Sequence, residues 1–313
     1  MVEHKHDPVP IVRLVDEYLT AARARGLSPK TVAHYDATLN SVLLPFCAEE
    51  GIADPAALNS RVLEALSVRL LDHGGRRGQL SRFSANSYLR AIRTFVRWAW
   101  KEGEVSDEVR VPIPRLPQRV LEVLDRNQIR TIEETCESDR DKVIVRVLAD
   151  TGLRLSELTG LRIDDLREQG RDRFLRVRGK GRGGQGQERL VPIAPSLYTR
   201  LRRYIDRGRS PDADTNRIFV VRRRKDGAST PLQPRTVQDN LRWAAERAGI
   251  KQRVTPHLLR HSFATWCLQR NMNPLQLQRI LGHSDLTMIT RTYSHLSVSD
   301  TAAALMEVLR EEP

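Results

Sequence analysis

The sequence predicts a mainly α protein in two parts: an N-terminal helical bundle, then a mixed α+β domain with a small antiparallel β-sheet. Three observations carry this. Apolar residues recur at helical spacing over 9–103. Pro112, Pro114 and Pro117 fall within six positions and mark a connector over 104–120. Beyond it, two short β-type runs flank a glycine-rich tip among further helical stretches. With 313 residues, 40% of them hydrophobic, the chain can fill two ordinary cores, and disorder is excluded. The parts run 1–103, 104–120 and 121–313.

In the first part, Ile11, Leu14, Val15, Tyr18 and Leu19 form an i, i+3, i+4, i+7 stripe that Gly26 ends. Ser28-Pro29 opens a second helix as N-cap and first-turn proline, carrying Val32, Tyr35, Leu39, Val42 and Leu43. A third covers 57–72. Ser84 caps a fourth, with Tyr88, Ile92, Phe95 and Val96 on its apolar side. These stripes read as core. The cations between them, Arg23, Arg25, Lys30, Arg76, Arg77, Arg82, Arg90 and Arg93, read as the outward face.

In the last part, helices are expected at 126–137 and 140–151. Strands at 173–177 and 189–193 make a hairpin whose tip holds Gly179, Gly181, Gly183, Gly184 and Gly186. Helices follow at 195–207, 234–248, 256–270, 274–281 and 286–294, with a last one from 300.

Charge is the first functional signal. Lys plus Arg is 52 and Asp plus Glu is 39, a net of +13 that points to a polyanionic partner, most often nucleic acid. The start, Met1-Val2-Glu3-His4-Lys5-His6-Asp7, is polar and lacks an apolar signal core, and no window is apolar enough to span a membrane. Cys47, Cys136 and Cys267 lie far apart without metal-ligand spacing, which suits a reducing cytoplasm.

Four clusters carry the chemistry. In Thr255-Pro256-His257-Leu258-Leu259-Arg260-His261, Thr255 is a good N-cap and Pro256 a good first residue. His257, Arg260 and His261 then share a helix face near a helix N-terminus, a sensible phosphate site. A surface histidine, a core histidine and an arginine ion pair explain the segment equally well. The i, i+4 histidines have zincin spacing, but Leu258 stands where that motif needs Glu, so zinc is not expected. In Thr151-Gly152-Leu153-Arg154-Leu155-Ser156-Glu157-Leu158, Gly152 breaks one helix and Arg154 sits in the bend, where Glu157 can hold it; a structural ion pair is the alternative. Lys180, in Arg178-Gly179-Lys180-Gly181, fits proton delivery to a leaving oxygen, or else a plain phosphate contact. Finally, Leu281-Gly282-His283-Ser284 precedes Arg291-Thr292-Tyr293-Ser294-His295. A tyrosine facing arginines and a phosphate becomes a usable nucleophile, and its phosphodiester stores the bond energy for rejoining.

In order, these segments resemble the tyrosine recombinase (phage integrase) family: Thr-Gly-Leu-Arg-x-x-Glu-Leu, Gly-Lys-Gly before Leu-Val-Pro-Ile, His-x-Leu-Arg-His, Leu-Gly-His, then Tyr. The resemblance covers 121–313, which it makes a mixed α+β catalytic domain. It makes 1–103 a helical core-site DNA-binding domain. It implies that Arg154 and Arg260 clamp the scissile phosphate. His257 and His283 add hydrogen bonds and assist proton movement, and Lys180 protonates the leaving 5′-oxygen. Tyr293 attacks to give a 3′-phosphotyrosine. It implies no metal and no cofactor. The partner is double-stranded DNA with inverted-repeat core sites, held by a homo-tetramer on two duplexes, with room for accessory DNA-bending proteins.

Two departures stand out. The tip after Lys180 is longer than the family's usual hairpin. The step from His283 to Tyr293 is ten residues, one more than the commonest, and one residue on a helix is about 100°. Tyr198 and Tyr204 match no motif. Ala302, Ala303, Leu305, Met306, Val308 and Leu309 form an apolar tail face that, in the family, docks on a neighbouring protomer; docking on its own domain is the alternative. A catalytically silent DNA-binding relative and a type IB topoisomerase are the rival readings. Within the family, a Xer-like resolver of chromosome dimers stands beside an integrase or transposase of a mobile element.

Overall fold

A computed structural model of the chain describes residues 10–72, 80–105, 108–116, 122–179, 188–211, 213, 215–222 and 229–282. The chain divides into two compact units, Met1–Arg119 and Val120–Pro313.

The first unit is helical: α1 (Ile11–Ala24), α2 (Pro29–Thr38), α3 (Leu44–Glu49), α4 (Ser60–Asp72) and α5 (Arg82–Lys101). Leu14, Val15 and Tyr18 of α1 meet Leu63 and Leu66 of α4 and Leu89, Ile92 and Phe95 of α5 in one buried cluster. Ser28 caps α2 as expected, its Oγ accepting from the Thr31 amide. At α5 the cap is Ser81, not Ser84: Ser81 Oγ accepts from the Ser84 amide, so the helix starts three residues earlier. The predicted single second helix is interrupted by a π turn at Leu39–Leu43. Pro45 has no N–H to give the Ser41 carbonyl, and the wider turn absorbs that loss. The extended segment 108–116 joins this unit: Val111 is buried in its core, and Asn86 Nδ2 donates to the Pro114 carbonyl at 2.9 Å.

In the second unit, α6 (Arg126–Glu134) and α7 (Asp139–Thr151) precede the short α8 (Leu155–Gly160). Next come β1 (Leu166–Gln169), β2 (Asp172–Arg178) and β3 (Glu188–Pro192), an antiparallel sheet in that order. In its register Leu175 pairs with Leu166 and Val191, and Leu175, Val177 and Val191 face the core. The helix α9 (Pro195–Arg203) follows, then a second, two-stranded sheet of β4 (Val220–Arg222) and β5 (Ser229–Pro231). The chain continues through α10 (Pro234–Arg247), α11 (Pro256–Gln269) and α12 (Pro274–Leu281).

Both predicted hairpin strands are present; β1, β4 and β5 are additions. The apolar core gathers Val143, Ile144, Val147 and Leu148 of α7 with Leu241 of α10 and Leu259 of α11. All three cysteines are buried, and burial pushes each thiol up to about 11. No described helix is long and apolar enough to cross a membrane. Residues 180–187 of the hairpin tip and the expected helices beyond 285 lie outside the described residues.

Candidate active site

Gly152 ends α7 in the left-handed region at φ 61°, and this sharp stop starts the site. A Cβ there would lie 2.6 Å from Phe263 Cδ1 and 2.7 Å from Leu281 Cδ2, so glycine also lets α7 approach α11 and α12. Two residues on, Arg154 takes the N-cap position of α8, and its amide donates to Glu157 Oε2 at 2.8 Å. Its guanidinium donates to Glu157 Oε1 at 2.9 Å and to the Gly282 carbonyl at 3.0 Å. The Arg154 side chain keeps 40% of its surface exposed.

Arg260 arrives from α11. Thr255 caps that helix, accepting from the Leu258 amide at 3.1 Å, with Pro256 in the first turn. One turn later Arg260 is only 3% exposed. It donates from Nη1 to the Gly152 carbonyl and from Nη2 to the Leu281 carbonyl at 2.8 Å. Its Nη1 stands 4.0 Å from Glu157 Oε2. The two predicted clamp arginines therefore meet at one carboxylate and one helix end. His257, Arg260 and His261 stand at i, i+3 and i+4 of this one helix, and burial differs along that face: His257 is exposed, while Arg260 and His261 are buried.

A third arginine joins them, one that the sequence reading missed. Arg189 of β3 grips both oxygens of Glu157, Nη1 to Oε1 at 2.9 Å and Nη2 to Oε2 at 2.8 Å. Its Nε donates to the Ile280 carbonyl at 2.7 Å. Three guanidiniums thus surround one buried carboxylate, and all three also donate to the last carbonyls of α12 or to its cap. A helix C-terminus leaves those carbonyls without intrahelical partners and carries partial negative charge, so cations settle there. Gly282 takes φ 64°, and a Cβ on it would come 2.8 Å from Arg189 Nη1. The only sequence-level hint of Arg189 was its place two residues before the Val191-Pro192-Ile193 strand end.

Charge in the cluster is unbalanced toward positive, which fits an anion. Burial pushes the Arg260 guanidinium down to about 10, with neighbouring Arg154 pushing the same way. Burial alone would raise the Glu157 carboxyl. Hydrogen bonds from Arg189, the Arg154 amide and the Arg154 guanidinium outweigh it and hold the group below the usual carboxylate range.

The hairpin stem is anchored as well. Arg178 Nη1 donates to Asp165 Oδ2 at 2.6 Å and Arg176 Nε to Asp165 Oδ1 at 3.0 Å. Lys180, His283 and Tyr293 lie outside the described residues. Tyr204 is buried against Phe219, and Tyr198 donates its hydroxyl to Glu168 at 3.0 Å. Among the described residues, no group of three His, Cys, Asp or Glu could hold a metal ion.

In the first unit, α2 and α5 border a groove of about 410 Å³ lined by Lys30, His34, Tyr35, Ser87, Arg90 and Thr94. Ser87 Oγ and His34 Nε2 lie 3.2 Å apart across it. Two of the outward cations read from the sequence, Lys30 and Arg90, are exposed at this groove.

Residues 122–300 match the phage integrase family. Over 303 residues the chain is 34% identical to tyrosine recombinase XerA of Pyrococcus furiosus, covering 95% of this chain and 96% of that protein. It is 30% identical to tyrosine recombinase XerC of Pseudomonas fluorescens, with 93% of each covered. Its fold is similar to that of the Tn1549 transposon integrase in complex with transposon right end DNA. There the TM-score is 0.71 at 20% identity, over 96% of this chain and 100% of that one. A lambda integrase tetramer bound to a Holliday junction gives 0.66 at 18% identity, over 91% and 78%. At those identities the structures speak for the fold, and the sequence matches carry the kinship. With more than half of the chain matched and a full-length relative at 34% identity, the chain belongs to the phage integrase family and is a tyrosine recombinase.

Proposed function

We propose that this recombinase exchanges DNA strands at inverted-repeat core sites with Arg154, Lys180, His257, Arg260, His283 and Tyr293 as its catalytic set. The observation that supports this best is the convergence of Arg154 and Arg260 on Glu157 and the Leu281 carbonyl. Two guanidiniums so fixed can clamp the non-bridging oxygens of one phosphate and stabilise charge built up in the transition state. Tyr293 attacks phosphorus while the bond to the 5′-oxygen breaks. His257 and His283 assist removal of the tyrosyl proton, and Lys180 protonates the departing 5′-oxygen. The product is a 3′-phosphotyrosine and a free 5′-hydroxyl. A 5′-hydroxyl from the partner duplex reverses the step and restores the tyrosine.

In this reading 1–103 binds the core site, 104–120 connects, and 121–313 carries the chemistry and the tail helix. The groove between α2 and α5 supports a DNA-facing role for the first part. Lys30→Ala is expected to weaken DNA binding evenly across sequences. The slope of log K against log salt should shrink by about 0.9, one phosphate contact. Fluorescence anisotropy over a salt series measures it.

The Xer-like reading is favoured within the family. Relatives named XerA and XerC match this chain over more than 90% of both lengths. A tetramer on two duplexes is supported by the lambda integrase tetramer bound to a Holliday junction. The test is covalent trapping. Wild type and Tyr293→Phe are incubated with fragments from the protein's own genomic neighbourhood and denatured in detergent, and the attached DNA is sequenced. Adducts with wild type only, clustered at one inverted repeat, are expected. Adducts persisting in the variant would move the nucleophile away from Tyr293.

A further inference from the structure

We propose that Arg189 is a positioning residue for strand cleavage: it grips Glu157 and the end of α12, and so fixes the geometry of Arg154 and Arg260. This rests on the recombinase reading above and adds to it a residue that need not touch DNA.

The side chain is 13% exposed, and its Nε, Nη1 and Nη2 are each engaged with protein oxygens. One planar fork thereby ties together β3, α8 and the C-terminal turn of α12. Glu157 is the shared counter-charge of all three arginines, and what holds it decides where they point. With both carboxylate oxygens gripped by Arg189, Arg154 contacts Oε1 through a single guanidinium nitrogen and keeps its outer face exposed. Without that grip, the carboxylate is free to swing and to draw Arg154 or Arg260 into a tighter pair, off the line to a phosphate. Lysine cannot replace the fork, because an ammonium is a point charge and cannot hold two coplanar oxygens and a carbonyl together. Gly282 belongs to the same device, since any side chain there would collide with the Arg189 guanidinium.

The experiment compares wild type with Arg189→Lys on the fragment recovered by covalent trapping. It follows DNA affinity, the single-turnover rate of adduct formation, and the pH profile of that rate. Arg189→Lys is expected to bind the fragment with unchanged Kd and to cleave about 10–100-fold more slowly, the scale of displacing a catalytic group by about an ångström. The profile is expected to shift with a definite sign. Glu157 faces Arg154, Arg189 and Arg260, and the Arg189 bonds are the strongest influence holding its carboxyl low. Weakening them raises that carboxyl, so cleavage by the variant falls off at higher pH than in wild type.

Cleavage and acid limb both within twofold of wild type would overturn the proposal. A rate loss fully matched by a loss of Kd would overturn it too, making Arg189 a DNA contact. Should Arg189→Lys melt early, Arg189→Gln serves instead: it leaves Glu157 beside Arg154 and Arg260 and cannot grip both carboxylate oxygens. Wild-type cleavage in that variant would likewise overturn the proposal. Failure of wild type itself to form adducts would instead sink the strand-transfer reading, and this proposal with it.

Discussion

Replacing Arg260 with alanine is expected to lower the single-turnover rate of adduct formation by about 10³-fold, the upper range for removing one preorganised donor from a transition state. Arg260 is nearly buried, and its position is dictated by two main-chain carbonyls rather than by solvent. A charge held there before substrate arrives needs no reorganisation during the reaction. It also lacks most of its hydration, and that burial pushes its pKa down to about 10. Arrival of a phosphate relieves that penalty, and the extra negative charge of the transition state relieves it further. DNA affinity is expected to change little by comparison, because many cations share the backbone. Arg260→Lys should recover charge without reach to both carbonyls, leaving most of the loss in place. Gel-resolved adduct formation beside anisotropy separates rate from binding. An Arg260→Ala rate within tenfold of wild type would remove Arg260 from the catalytic set.

Glu157→Gln is expected to give the largest stability effect. The Glu157 side chain is 2% exposed and faces three guanidiniums. Removing the charge leaves them repelling one another, and breaking a buried ion pair from one side costs about 3–5 kcal/mol. For a unit of this size that lowers the melting temperature by roughly 10 °C. The pH dependence carries its own sign. The carboxyl sits below its unfolded value of 4.5 in the folded protein, so its contribution is fully present above that value. It is lost as pH falls through the lower folded value. The gap between wild type and variant should therefore be widest near neutrality and narrow below about pH 4.5. Calorimetry across that range tests both the size and the sign.

Much of the helical scaffold was legible from local pattern. The stripes of α1 and α5, the Ser28 and Thr255 caps and the Gly152 stop all follow from spacing within a few residues. The Arg154–Glu157 pair was legible for the same reason, since three residues separate them. Arg189 was not, because it reaches Glu157 across 32 residues, and no local spacing encodes a strand meeting a helix end. Strand β1 was missed because Leu166-Arg167-Glu168-Gln169 has no apolar alternation; its partner β2 holds it in the sheet. The π turn at Leu39–Leu43 was hidden because its apolar residues keep nearly helical spacing while Pro45 removes one bond. His257 and Arg260 do share one helix at i, i+3, but spacing says nothing of depth, and the packing around α11 buries Arg260 while leaving His257 in solvent.

The arginines of this site answer to main-chain oxygens at the place where α12 stops. A backbone carbonyl is supplied by any residue, so part of the arginines' geometry is written in where a helix ends, beside the part set by the Glu157 side chain. The acceptors are therefore set by the course of the backbone, whatever side chain stands at 280 or 281. The exceptions are the points where a side chain has no room, Gly152 and Gly282. At both points the bare backbone lets elements close on one another, α7 on α11 and α12 at Gly152 and the Arg189 guanidinium on the end of α12 at Gly282.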